Sequence, residues 1–274
     1  SDCNKITSLV IQEGIQKIGS SAFSGCSKLQ SVVLPNSLVE MELAAFTHCK
    51  KLTDITFSNN LTTIPSEAFR ECDALQSIVI PGSVKTIDSY AFYICPNLTS
   101  VTLCEGVTKI KQEAFGHCYT LSSITIPESV TYIGKSAFTS TALASISIPA
   151  SVTELADETF YYCYNLTQIY FNSATPPSIG SNIFAVDLQP KVYVPCDAVD
   201  AYKSDEDWIQ YKSLITSAAH KVFVKSSNNE YGYVTIEEKN ACSEEHTAII
   251  TAYSKDDDNY QFNRWDDGNK ENPR

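Results

Sequence analysis

Apolar and polar positions alternate in short bursts along this chain, and the bursts return at a fixed interval. Phe23, Phe46, Phe69, Phe92, Phe115, Phe138, Phe160 and Phe184 are spaced 23, 23, 23, 23, 23, 22 and 24 residues apart. Cys3, Cys26, Cys49, Cys72, Cys95 and Cys118 keep the same interval; Thr141 takes the next position and Cys163 follows 22 residues later. In the unit from Cys95 to His117, Leu98, Val101 and Leu103 end in strict alternation, followed by Val107, Ile110 and Ala114-Phe115. Its neighbours carry Leu75, Ile78, Ile80, Val84, Ile87 and Ala91-Phe92, or Leu121, Ile124, Ile126, Val130, Ile133 and Ala137-Phe138. This alternation predicts a short strand with its apolar side inward. Pro35, Pro81, Pro127 and Pro149 end the strand where a missing N–H does no harm, because the chain is leaving the ladder. Polar residues before Ala-Phe, as in Ser66-Glu67-Ala68-Phe69 and Ser136-Ala137-Phe138, predict one short helical turn.

A single coil of this kind cannot bury its apolar side, so coils must stack, with strands pairing at about 4.8 Å. The cysteines then form an interior column. Neighbouring thiols are near enough for disulfides, but their Cβ vectors run parallel, whereas a disulfide wants a dihedral near 90°. Most of the column is therefore expected to be reduced and to act as small buried hydrophobes. Cys104, Cys196 and Cys242 stand outside the column and are not paired by the sequence. Thr141 fits a thiol's space, and Pro176-Pro177 is expected to bulge out of the last unit.

The pattern Leu-x-x-Ile-x-Ile-Pro, Val-x-x-Ile, Ala-Phe-x-x-Cys resembles the BspA-like leucine-rich repeats of bacterial surface proteins over residues 3–195. The resemblance implies a mainly β fold with short helical turns, a right-handed leucine-rich-repeat solenoid of about eight 23-residue coils. Lys191-Val192-Tyr193-Val194-Pro195, Ala198-Val199-Asp200-Ala201-Tyr202 and Trp208 are similar to the closing strand and helical cap of such arrays, which places solenoid and cap in 1–217 and the cap in about 191–217. Within the cap, Asp197 is the expected N-cap, Asp200 favours the first turn, and Trp208 covers the open end. A second unit, 218–274, holds Tyr231-Gly232-Tyr233-Val234-Thr235, Ala248-Ile249-Ile250-Thr251-Ala252, Tyr260 through Gly268 and Asn272-Pro273-Arg274, which resemble an internalin-B-type β-repeat. Relatives continue past Asn-Pro-Arg, so this small β module is expected to be incomplete, with Ile236, Ile249 or Phe262 short of cover.

Composition narrows the function. The 274 residues are 43% hydrophobic and 19% charged, which suits a folded chain. A net charge of −12 repels phosphate backbones and anionic lipid headgroups, so nucleic acid and membrane surfaces are poor partners. Eleven acidic and six basic side chains fall in residues 222–274, concentrating negative charge there. No apolar run approaches the roughly 18–20 residues that span a bilayer. The chain starts at Ser1 without a signal h-region, which reads as a trimmed piece of something longer.

Candidate chemistry is sparse. His48 and His117 share a position but lie three coils apart, about 14 Å by the strand spacing, too far for one zinc. His220 and His246 have no partner at ligand spacing, and Asp256-Asp257-Asp258 lacks the alternation of a calcium loop. Glu67 and Glu113 lie two coils apart, near 10 Å, the separation of an inverting glycosidase pair. With Tyr90 between them, a dipole-complementing role in the turn outweighs catalysis. No Gly-rich phosphate loop, Gly-x-Ser-x-Gly elbow or Cys-x-x-Cys occurs, and no cofactor or metal is expected. Outward strand positions form rows, Ser31, Asp54, Ser77, Ser100, Ser123, Ser145, Gln168 beside Val33, Thr56, Val79, Thr102, Thr125, Ser147, Tyr170, which stack well in strands and also offer a flat face. Tyr161, Tyr162, Tyr164, Tyr170 and Tyr193 gather towards the end of the array and are the candidate binding residues, with stacking and cap cover as the competing role.

The resemblance implies a non-catalytic, adhesin-like protein, at the cell surface or secreted, that presents its solenoid to an extracellular protein or glycan. A glycan-binding module is the alternative, marked by an exposed shelf of Tyr161 to Tyr193. A carbohydrate-active enzyme is the third, marked by facing carboxylates in a pocket.

Overall fold

Main-chain hydrogen bonds on three sides of each coil hold it to the next. The computed structural model describes Cys3, residues 5–218, and the backbone of the strands Gly232–Lys239 and Thr247–Ser254. On the first side, parallel strands run from Ser8–Val10, Ser31–Val33 and Asp54–Thr56 through Ser77–Ile80, Ser100–Leu103, Ser123–Thr125, Ser145–Ile148 and Gln168–Phe171 to Lys191–Val194 and Ile215–Ser217. Partners differ by the repeat length, as in Ser8↔Ser31, Ser31↔Asp54 and Ser77↔Ser100. This long ladder is interrupted after Asp54–Thr56 and again after Ser123–Thr125. On the second side, two-residue strands pair continuously from Thr63–Ile64 to Ser178–Ile179, and Lys17–Ile18 pairs with Glu40–Met41. The periodicity predicts stacked coils, and the result is the mainly β, right-handed solenoid that the resemblance implies.

The third side is built differently from the expected helical turn. Ala68 N–H reaches Pro65 O at 3.2 Å and Arg70 N–H reaches Glu67 O at 3.2 Å, but left-handed residues interrupt any helix. Ala44, Glu67, Tyr90, Glu113 and Ser136 have φ of 58°, 57°, 61°, 49° and 54°, and His48, Glu71, Ile94, His117 and Ser140 repeat the feature four residues further along. Left-handed backbone costs an L-residue about 1–2 kcal/mol. The return is that alternate amides point along the rod: the N–H groups of Glu67, Phe69 and Glu71 donate to the carbonyls of Ser89, Ala91 and Tyr93 at 3.1, 2.8 and 2.9 Å. Ser66 does not cap a helix; its hydroxyl donates to Ser89 O on the next coil.

Two columns fill the interior. The phenylalanine rings stack from Phe23 to Phe184 with centroids 5.1–6.2 Å apart and planes within 22°. Phe46, Phe69, Phe92, Phe115, Phe138 and Phe160 are fully buried. Beside them, Cys49, Cys72, Cys95, Cys118 and Cys163 are reduced and buried, as the parallel geometry predicts. They are more than small hydrophobes. Each thiol donates to a phenylalanine carbonyl, Cys49 to Phe23 O at 3.3 Å through Cys163 to Phe138 O at 3.0 Å. Thr141 takes the column position with its hydroxyl 3.2 Å from Cys163 Sγ. Cys3 and Cys26, the first two of the column, form a disulfide; closing a loop of this size is worth about 3 kcal/mol. Cys104 is free and half-buried, and Cys196 is in a disulfide.

The cap occupies Lys191–Val194, a short helix Val199–Ser204 and Ile215–Ser217. Trp208 closes the end as expected: it is fully buried, edge-on to Phe171 at 4.8 Å and to Tyr202 at 5.0 Å. Its Nε1–H donates to Pro177 O at 2.8 Å. Pro177 is therefore buried beneath the indole instead of bulging outward. Asp197 makes no capping hydrogen bond, because the helix follows directly on a 3-10 turn; Asp200 does lie in the first turn. Further on, Gly232–Lys239 and Thr247–Ser254 pair antiparallel, from Gly232↔Ser254 to Lys239↔Thr247. His220, Cys242, His246, Asp256-Asp257-Asp258 and Phe262 lie outside the described residues.

Removing one ring from the stack leaves a cavity between two coils. Phe92→Ala should cost about 3–5 kcal/mol of unfolding free energy, read from urea denaturation. Burial also pushes the Cys49 thiol from 9.0 up to about 12 and raises Cys72, Cys95 and Cys163. Unfolded thiols release protons near 9.0 that the folded column keeps, so this contribution is complete below 9.0 and is lost as pH rises towards 12. Wild-type urea midpoints should fall more steeply across that window than those of Cys72→Thr, which carries the residue that Thr141 supplies naturally; equal slopes would refute the assignment.

Candidate recognition surface

Among the described residues, the large exposed aromatic side chains Tyr119, Tyr162 and Tyr164 stand on the turn side. Aligning residues on the column cysteines shows why. Two positions before the cysteine stand Thr47, Arg70, Tyr93, Gly116, Thr139 and Tyr161; one before, His48, Glu71, Ile94, His117, Ser140 and Tyr162; one after, Lys50, Asp73, Pro96, Tyr119, Ala142 and Tyr164. The left-handed residues of the turn fix these side chains in rows along the rod.

Two aromatic groups result. Tyr161, Tyr162 and Tyr164 touch in series, with centroids 4.2 and 5.8 Å apart and planes tilted by 54° and 38°. Tyr162 and Tyr164 are 45% and 67% exposed, so the recognition role is open to them. Tyr161 is hydrogen-bonded to Tyr162, which raises its hydroxyl above the ordinary range. The other group is Tyr90, Tyr93, His117 and Tyr119, joined by edge-on contacts of 5.3–5.6 Å. Arg70 lies over the Tyr93 ring at 5.4 Å, and His117 Nδ1 is 3.1 Å from the Tyr119 hydroxyl. Burial and the Glu113 carboxylate raise both Tyr90 and Tyr93. At Gly116 a Cβ would sit 3.3 Å from the Tyr93 ring, so the absent side chain leaves that ring its place. Between the groups stand only Thr139, Ser140 and Ala142, while Tyr119 and Tyr164 are two coils apart, about 10 Å along the rod. Small side chains thus separate two aromatic groups on the same side of the rod.

Tyr170 and Tyr193 join neither group. They are cross-strand partners on the long ladder, stacked at 4.7 Å and 10°, and half-buried. The five tyrosines thus form two patches, not one shelf. Of the Ser and Thr rows, Ser31 donates to Ser8 Oγ and Ser147 to Asn172 Oδ1 on the neighbouring coil, while Thr53 and Thr99, one position before the rows, donate to Gln30 O and Gln76 O.

The catalytic and metal candidates find separate partners. Glu67 pairs with Arg70 at 3.2 Å, while Glu113 is hydrogen-bonded to Tyr90. His48 Nε2 meets Glu71 at 3.1 Å. Among the described residues no three His, Cys, Asp or Glu side chains converge as metal ligands would, and no helix among them is long and apolar enough to cross a membrane.

The sequence profile of the BspA type leucine rich repeat region (6 copies) matches residues 1–121 and 85–195. Among solved structures, the leucine rich repeat protein of T. pallidum is 29% identical and superposes with a TM-score of 0.48, covering 65% of this chain and 74% of that one. A leucine rich cell surface protein from Faecalibacterium prausnitzii is 22% identical, covering 78% and 80%, with a TM-score of 0.35. The pneumococcal vaccine antigen PcpA is 18% identical, covering 77% of each chain, with a TM-score of 0.43. No curated protein matches the chain significantly.

Replacing Tyr162 by Phe removes the hydroxyl that holds the Tyr161 proton. Tyr161 should then titrate at lower pH, measured by NMR of ring-labelled tyrosine; an unchanged midpoint would place the hydrogen bond elsewhere.

Proposed function

The chain belongs to the BspA-type leucine-rich repeat family, and we propose that it is a non-catalytic, adhesin-like protein of the bacterial cell surface whose turn side receives an extracellular protein. The observation that carries this reading is the exposed group Tyr161, Tyr162 and Tyr164, two coils along the same side from the His117 and Tyr119 group. Tyrosines offer rigid apolar area with a polar tip at little entropic cost, and such anchors dominate protein interfaces. Tilted rings suit an uneven protein surface better than the flat stacking a sugar ring needs. Tyr170 and Tyr193 form a lesser patch round the corner of the coil. The unit 218–274 acts as a spacer of the internalin-B type, a reading supported by its antiparallel strand pair.

Capture from a preparation of extracellular matrix proteins tests this. Tyr161, Tyr162 and Tyr164 changed together to Ala should lose the captured species at least about tenfold, a difference of 1.4 kcal/mol or more. Tyr170→Ala with Tyr193→Ala should keep it. Equal capture by the triple variant removes the tyrosine group from the binding surface.

A further inference from the structure

Lysine recurs on one edge of this acidic rod. Lys5, Lys28 and Lys51 stand two residues after successive column cysteines, and Lys50 lies beside them. Stacking at about 4.8 Å brings like charges close, which costs stability in a parallel ladder. Some lysines elsewhere find acidic partners on adjoining coils: Lys17 with Glu40 and Glu42, Lys111 with Asp88, Lys135 with Glu158. Lys5, Lys28 and Lys51 form no such pair among the described residues. Lys50 reaches Asp73 at 3.7 Å, and Asp54 accepts a hydrogen bond from Thr53; these are the nearby acids, and they leave the edge cationic.

The surface here carries two shallow, open depressions. These adjoining hollows, of about 530 and 500 Å³, share Gln30, Lys50 and Lys51, and run over the corner between the turn side and the long ladder. Their other walls include Lys28, Thr7, Thr53, Asn97 and Asp73, so the lining joins three ammonium groups and one carboxylate, paired with Lys50, to hydroxyls and amides. No aromatic ring lines either hollow, which removes the base-stacking platform that single-stranded nucleic acid uses. A ligand dense in hydroxyls with spaced anionic groups satisfies both halves of the lining, since ammonium groups bind carboxylate or sulfate as point charges and neutral side chains bond the hydroxyls.

We propose that this corner groove binds an acidic oligosaccharide, held by Lys28, Lys50 and Lys51 with Gln30 and Thr53 on its hydroxyls. The site lies on the first coils, apart from the tyrosine groups, and does not depend on that reading. Fluorescence anisotropy with the full chain at low ionic strength tests it, using labelled hexasaccharides of heparin and of galacturonate, a neutral dextran hexasaccharide and oligothymidylate. A heparin or galacturonate fragment should bind and dextran should not, the stronger of the two telling sulfate from carboxylate. Lys28→Ala with Lys51→Ala should weaken binding at least about tenfold, while Lys28→Arg with Lys51→Arg keeps the charge and the affinity. Both side chains are exposed, so thermal melting of each variant should match the wild type. The proposal is overturned if neither acidic fragment binds, if the alanine variant binds as well as wild type, or if oligothymidylate binds as tightly as the better fragment.

Discussion

Everything in this protein depends on one constraint, that main-chain donors of each coil meet acceptors of the next at a common spacing. The three hydrogen-bonded sides force equal positions into rows, and the rows decide the rest. A ring at one position becomes a stack, as from Phe23 to Phe184. A thiol becomes a column in which each Sγ–H is used by a carbonyl from the turn beneath it. Even unfavourable choices are repeated faithfully: the left-handed Glu67, Tyr90 and Glu113 persist because their conformation aims amides at the neighbouring coil.

The same constraint explains the way the molecule offers function. A stack of thin coils encloses no site, since its interior is taken by side chains of neighbouring repeats. What it varies is the outside, where a single position can hold Arg70, Tyr93, Gly116 or Thr139 without disturbing the ladder behind it. Surface character therefore changes along the rod in steps of one coil: cationic on the first coils, aromatic on the turn side further along, and closed at the end by Trp208.

Much of this was legible in the sequence because repetition amplifies weak local signals. Strand positions, the inward columns and the reduced state of Cys49 through Cys163 follow from spacing and residue type, while the role of Trp208 follows from the resemblance of the closing segment to the cap of such arrays. The turns were not legible. Positive φ is normally announced by glycine, and here it falls on Glu, Tyr, His and Ser, held there by bonds to another coil that no local pattern displays. Pro177 was misjudged for a related reason, since its carbonyl serves a tryptophan 31 residues away. Of the site, Tyr161, Tyr162 and Tyr164 stood out as neighbours in the chain. Tyr93, His117 and Tyr119 emerge only when residues are aligned on the cysteine register, which would also have revealed the Lys5, Lys28 and Lys51 row.

The interruptions of the long ladder have a consequence for how such a rod comes apart. In a stacked array the terminal coils, with one neighbour each, ordinarily fray first. Here the first coil is secured covalently through Cys3 and Cys26, and the last is plugged by an indole. With both tips fastened, the weaker seams lie inside: beside Asp54–Thr56 and Ser123–Thr125 the long ladder is broken, and between Glu40–Met41 and Thr63–Ile64 the short one is. Under tension such a molecule parts into blocks of intact coils rather than peeling from one end.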